Sequence, residues 1–168
     1  MTVRARRLRA GIAAALVLLP CVALGADGAA DAPVRFTDGA ALFQANCAVC
    51  HRANGAGQAG LAPPLLVYPA RYARSVEGRR QLAMTLLYGM FGEITVDERH
   101  YNFKMPDFAR FDDATLAALI NYVVFDLGHA PPEVAALAPE AIAAERATAQ
   151  TGEAVRRHRA EVLEAPAP

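Results

Sequence analysis

Cys47-Ala48-Val49-Cys50-His51 is a C-x-x-C-H run, the spacing of a site for covalent attachment of c-type haem. Two thiols three positions apart each reach one vinyl group on a haem edge, and the imidazole that follows reaches the iron. Two other uses of a C-x-x-C pair compete with this one. A thioredoxin-like redox site sits near a βαβ pattern, and residues 35 to 60 show no alternation of strand and helix. A structural zinc site takes four Cys or His ligands, and the chain has no second C-x-x-C and no H-x-x-x-H pair.

Working outward, Thr37 or Asp38 is placed to cap a helix whose apolar members Ala40, Leu42, Phe43, Ala45 and Cys47 gather mostly on one side. That helix delivers the first cysteine. Residues 53 to 64 are rich in Gly and end in Pro63-Pro64, so they read as a loop. A second helix is expected from about Ser75 to Leu87, burying Leu82, Ala83, Leu86 and Leu87 and ending near Gly89. Residues 91 to 111 hold no sustained helical period and read as an ordered loop without strands. Asp112 or Asp113 then caps a third helix, with Leu116, Leu119, Ile120, Val123, Val124 and Leu127 forming a wide apolar face before Gly128. After Pro131 and Pro132 the composition turns to Ala, Glu and Arg, and one helix from about Pro139 to Val162 is expected. Its Glu145, Arg146, Glu153, Arg156 and Arg157 read as a solvated face.

The ends of the chain bear on its location. Arg4, Arg6, Arg7 and Arg9 precede a short apolar run from Ile12 to Leu24, and Ala23-Leu24-Gly25 offers small residues for cleavage before Ala26. Residues 1–25 therefore read as a signal peptide, 26–35 as a flexible leader, 36–130 as the haem domain and 131–168 as an Ala-rich helical extension. Pro20 interrupts the apolar run, which is short for a bilayer span, so stable membrane insertion after cleavage is not expected. The residue before Cys21 is also Pro20, which argues against lipidation there. Four of the seventeen Lys and Arg residues fall in the first 25 positions, where there is no Asp or Glu. The rest of the chain carries thirteen basic against seventeen acidic residues, a net charge of −4, which disfavours nucleic acid as a partner.

His51 is one axial ligand by its place in the motif. For the other, Met84, Met90, Met105, His100, His129 and His158 compete. Met105 is favoured because it lies in an irregular segment, is followed by Pro106 and falls just before the third helix. Met84 is better explained as core packing, and Met90 lies just past a helix end. His100, five residues from Met105, keeps a bis-histidine haem open. His129 and His158 read as exposed residues, structural or incidental.

With Gly39, Phe43 and Cys47-x-x-Cys50-His51 read together, the chain resembles class I monohaem c-type cytochromes, small all-α electron carriers. The resemblance implies the class I fold: three to four core helices around one covalent haem c, here with an extra C-terminal helix. It implies that the Gly39 helix crosses the last core helix with Phe43 against Tyr122. It also implies that Pro63, or Pro64 beside it, accepts the second ring proton of His51 in a loop that includes Leu65. Ile94-Thr95-Val96 with Tyr101-Asn102-Phe103-Lys104-Met105-Pro106 is similar to a subgroup with an I-x-V…Y-N-x-x-M-P pattern, in which the methionine is the sixth iron ligand. Such units occur beside quinoprotein dehydrogenases, nitrite reductases or oxidases. Glu140 and Arg146-Ala147 resemble an E-x-x-x-x-x-R-A ending after the core, and the long tail beyond Ala147 departs from the pattern.

The expected function is periplasmic transfer of single electrons from a dehydrogenase or respiratory donor to an oxidase or reductase, with transient docking. Two other readings share the same residues: a haem subunit docked permanently in a dehydrogenase, oxidase or nitrite reductase complex, and a peroxidase-like haem enzyme with a labile sixth ligand. The enzyme would need an acid or base near the iron, for which His100 is the candidate.

Overall fold

Ser75 and Asp112 fix where two core helices begin. Each lies in extended backbone, and its side-chain oxygen accepts an amide proton three residues on, from Gly78 at 3.0 Å and from Thr115 at 2.7 Å. A computed structural model describes residues 36–164. The expected signal peptide and leader fall outside the described residues.

Seven α-helices follow one another among the described residues: α1 (Thr37–Asn46), α2 (Ala48–His51), α3 (Tyr68–Tyr72), α4 (Val76–Tyr88), α5 (Asp113–Asn121), α6 (Pro139–Arg146) and α7 (Gly152–Glu164). The all-α fold expected of a class I cytochrome is the one observed, with one small departure. Ile94–Val96 and Arg99–Tyr101 form an antiparallel hairpin, β1 and β2, in the stretch expected to hold no strands. Its turn is Asp97-Glu98, both at positive φ (48° and 63°). A turn of that kind usually announces itself with glycine or asparagine, and this one does not.

The three expected core helices form, with changes at their edges. Thr37 and Asp38 lie inside α1, whose N-cap is Phe36 with no side-chain bond, and Ala45 is exposed. In α4, Leu82 and Leu86 are half-buried while Gln81 and Met84 are buried. The third helix leaves α geometry at Tyr122 and runs as a π-helix to Leu127. Leu116, Leu119 and Val124 sit at the centre of the core, with α1 and α4 packed on α5.

Gly39 is where α1 and α5 come closest. A Cβ there would overlap the Ala118 carbonyl oxygen and stand 2.6 Å from Tyr122 Cβ, so only glycine lets the backbones approach this far. The approach seats Phe43, fully buried, against Tyr122 with ring centroids 5.5 Å apart.

The single C-terminal helix expected over 139–162 is broken in two. Arg146 ends α6 by turning back onto the core: it pairs with Asp113 at 2.8 Å and donates to the carbonyls of Ala109 and Phe111. Five residues later Thr151 Oγ1 accepts from Ala154 N and starts α7. The expected solvated face is therefore only partly solvated. Arg157 and Glu153 pair at the surface, whereas Arg146 is a staple and Glu145 pairs with Arg80 at 3.0 Å. Both tail helices lie against α4. The connection before them is pinned by Asn121, buried, which exchanges two hydrogen bonds with the backbone of Leu137.

Candidate functional site

The turn from α1 into α2 carries the C-x-x-C-H run on helical backbone, which puts Cys47, Cys50 and His51 on one cavity wall. Both thiols are free, so no disulfide competes for them. Burial foremost, and Cys50 beside it, push the Cys47 thiol up to about 11, against the opposing charge of Arg110.

His51 is buried, and its Nδ1 lies 2.9 Å from the Pro63 carbonyl oxygen, to which it donates. That bond leaves Nε2 as the lone-pair nitrogen for a metal. Burial holds the imidazole below its ordinary pKa, with the Pro63 bond opposing, so the ring is neutral and able to ligate. The Pro63 carbonyl is set by the loop that the sequence marks as Gly-rich. Gly57 has φ +71°, and a Cβ on it would stand 2.6 Å from both the Ala62 oxygen and the Pro63 carbonyl carbon.

The cavity encloses about 340 Å³. Its far walls come from Leu65 and α3, from α4, and from the segment running from Met90 through the hairpin to Met105 and Pro106. Met90 and Met105 exchange backbone hydrogen bonds of 3.1 and 2.8 Å, which ties the end of α4 to the stretch before α5.

Of the residues singled out in the sequence, Cys47, Cys50, His51, Pro63, Leu65, Tyr101 and Met105 all line this cavity. Phe43 and Tyr122 do not: they pack on each other behind Cys47. Asn102 is exposed and lies outside the lining. Among the competing ligands, Met90 also lines the cavity, Met84 is buried outside it, and His129 is exposed. His100 sits on β2 with its side chain 70% exposed and bonded to Glu93 at 2.9 Å. Of the two readings left open for His158, the structural one holds, though its side chain is only 17% exposed: the ring bridges Gln81 at 2.7 Å and Glu77 at 3.2 Å, joining α7 to α4.

A family model described as Cytochrome c matches residues 36–124. The chain belongs to the cytochrome c family. Two cytochromes c-552 of Thermus thermophilus are each 40% identical to it over 93 residues. The match spans 55% of this chain and 70% and 62% of theirs. It is therefore a haem electron-transfer protein with covalently attached haem c.

The residues present fit that group. Two free thiols flank a buried, neutral imidazole whose Nδ1 is engaged, and they face a largely apolar cavity whose lining holds no Asp or Glu. Cys47 and Cys50 are placed as in a C-x-x-C-H haem attachment motif and would hold the cytochrome's haem through thioether bonds, with His51 Nε2 free to be offered to its iron. When bound, the group supplies a one-electron ferric/ferrous couple. The protein's part is to keep water from it and to fix the ligand that faces it.

Sequence reasoning missed part of this cytochrome's cavity: Tyr68, Tyr72, Gln81, Thr85 and Arg159 also line it. The Tyr68 and Tyr72 pair, four residues apart after the double proline, carried a usable signal. Arg159 carried none, because in sequence it is one cation among several on a charged helix.

Proposed function

We infer that this cytochrome is an exported, periplasmic carrier whose haem iron is held between His51 and Met105. It takes single electrons from a dehydrogenase or respiratory donor and passes them to an oxidase or reductase. What supports the ligand assignment is that Met105 lines the cavity with His51, while His100 points into solvent. A thioether opposite an imidazole keeps the iron six-coordinate in both oxidation states, so the electron moves with little ligand rearrangement, and it raises the reduction potential.

The same placement weighs against an enzyme, which would need a positioned acid or base near the iron. His100 is outside the cavity. Docking would be weak and transient through the mouth of the cavity, between residues 48–65 and 104–108. Val49 and Phe103 line that mouth and are 82% and 64% exposed, and Leu66 and Val67, which follow Leu65 in the chain, are exposed apolar side chains. A permanently docked subunit would instead co-purify with its complex.

The test is the ferric optical spectrum of the mature holoprotein and of Met105→Ala and Met90→Ala. The weak sulfur-to-iron band in the deep red is expected in wild type and Met90→Ala and absent from Met105→Ala. A band that survives in Met105→Ala and vanishes in Met90→Ala moves the ligand to Met90. High-spin ferric haem in wild type removes methionine ligation altogether.

A further inference from the structure

The C-terminal helix α7 lies wholly beyond the segment matched by the family model, yet one of its side chains enters the haem cavity. Arg159 is 8% exposed, and its guanidinium makes no hydrogen bond or ion pair with any described residue. Tyr72, from α3, lines the same cavity, and its hydroxyl is buried with no hydrogen-bond partner among the described residues. The two are near enough for the Arg159 charge to hold the phenol's pKa down against the burial that raises it.

A buried guanidinium without a counter-charge and a buried hydroxyl without a partner each cost free energy. Proteins carry such pairs where an anion completes them. The described residues supply none here, because no Asp or Glu among them lines the cavity. Haem c supplies two carboxylates: its propionates are on a different edge from the carbons that bond Cys47 and Cys50. We propose that Arg159 forms an ion pair with a haem propionate, with the Tyr72 hydroxyl donating a second hydrogen bond to the same carboxylate. The extension is then a wall of the haem site.

The rest of α7 holds Arg159 in place. His158, its neighbour, binds α4 through Gln81 and Glu77, and Gln81 is fixed in turn by Thr85 at 3.0 Å. Val155 is fully buried one turn before Arg159. The other charged or titratable groups around the pair are Tyr68 and Arg71 on α3, Lys104 in the cavity lining, and the His158 and Glu77 contact, and all are kept in the variants below.

The proposal rests on covalent haem and is independent of which methionine is the sixth ligand. It is tested on full-length mature holoprotein by spectroelectrochemistry over roughly pH 4 to 9. Wild type is expected to give a midpoint potential nearly flat across this range, because a paired propionate stays ionised. Arg159→Gln removes a positive charge beside the haem, so its midpoint should fall at alkaline pH. It should also acquire a slope towards acid, where the unpaired propionate takes up a proton. Arg159→Lys should restore most of the wild-type curve, and Tyr72→Phe should shift the midpoint less and in the same direction. Retention of the deep-red sulfur band in Arg159→Gln keeps a ligation change apart from a propionate effect. An Arg159→Gln curve superimposable on wild type overturns the proposal. So does an Arg159→Lys curve displaced as far as that of Arg159→Gln, which would mark a packing role. If Arg159→Gln yields no holoprotein, an unchanged potential in Tyr72→Phe is the overturning result.

Discussion

Gly39→Ala adds one carbon at the closest point between α1 and α5, and the structure says how badly it fits. The new Cβ would stand 2.6 Å from Tyr122 Cβ, where ordinary contact begins at 3.4 Å, and would also overlap the Ala118 carbonyl oxygen. Relieving the Tyr122 contact alone requires the helices to part by about 0.8 Å, the difference of those two distances, and the Ala118 oxygen requires more. Neither obstacle is the far end of a flexible side chain, so the strain falls on helix backbone. Overpacking of this kind costs about 3 kcal/mol. The better helix propensity of alanine returns about 1 kcal/mol. The net loss of about 2 kcal/mol corresponds to a Tm lower by roughly 8 °C for a domain of this size. The assay is thermal unfolding of the ferric holoprotein followed in the far ultraviolet and the Soret band. Ala41→Gly on the exposed side of the same helix is the control, losing about 1 kcal/mol through propensity alone. A Gly39→Ala protein with a Tm equal to or above wild type would refute the reasoning. It would mean that the crossing opens freely and that the Phe43 and Tyr122 contact is not held by it.

Three further outcomes are expected. Asn121→Ala strands the amide and carbonyl of Leu137, both now bonded to a buried side chain, and should cost about 2–3 kcal/mol in a denaturant titration. Gly57→Ala forces a side chain onto a residue at φ +71° and displaces the Pro63 carbonyl from His51. Stability should fall by about 1–2 kcal/mol. The midpoint potential should rise, because a less basic imidazole favours the ferric state less. Asp112 is held below its usual value of 3.8 by its bonds to Thr115, so its contribution is present above pH 3.8 and is lost as pH falls through the lower, folded value. Asp112→Asn should therefore flatten the acid limb of stability against pH, and an unchanged limb in urea titrations would remove that account.

Much of this protein is written locally. The C-x-x-C-H spacing, the caps at Ser75 and Asp112 and the apolar period of 116–127 are short-range features. They set the covalent attachment, the start of two core helices and the all-α class, because hydrogen bonds and side-chain periodicity within a dozen residues suffice to specify them. The hairpin was not legible, since Asp97 and Glu98 take up positive φ only with both strands in place. The break between α6 and α7 was hidden for a similar reason. Arg146 ends α6 by bonding carbonyls thirty-five and thirty-seven residues earlier, which no local pattern announces. The identity of the haem cavity's walls was decided at longer range still. That Met90 and Met105 line the cavity while His100 stays outside it goes with the bridge between the two methionines, and the burial of Arg159 goes with α7 lying against α4. Sequence carries the chemistry that a residue can perform. Whether a cation on a charged helix faces water or the cavity is settled by packing between segments far apart in the chain.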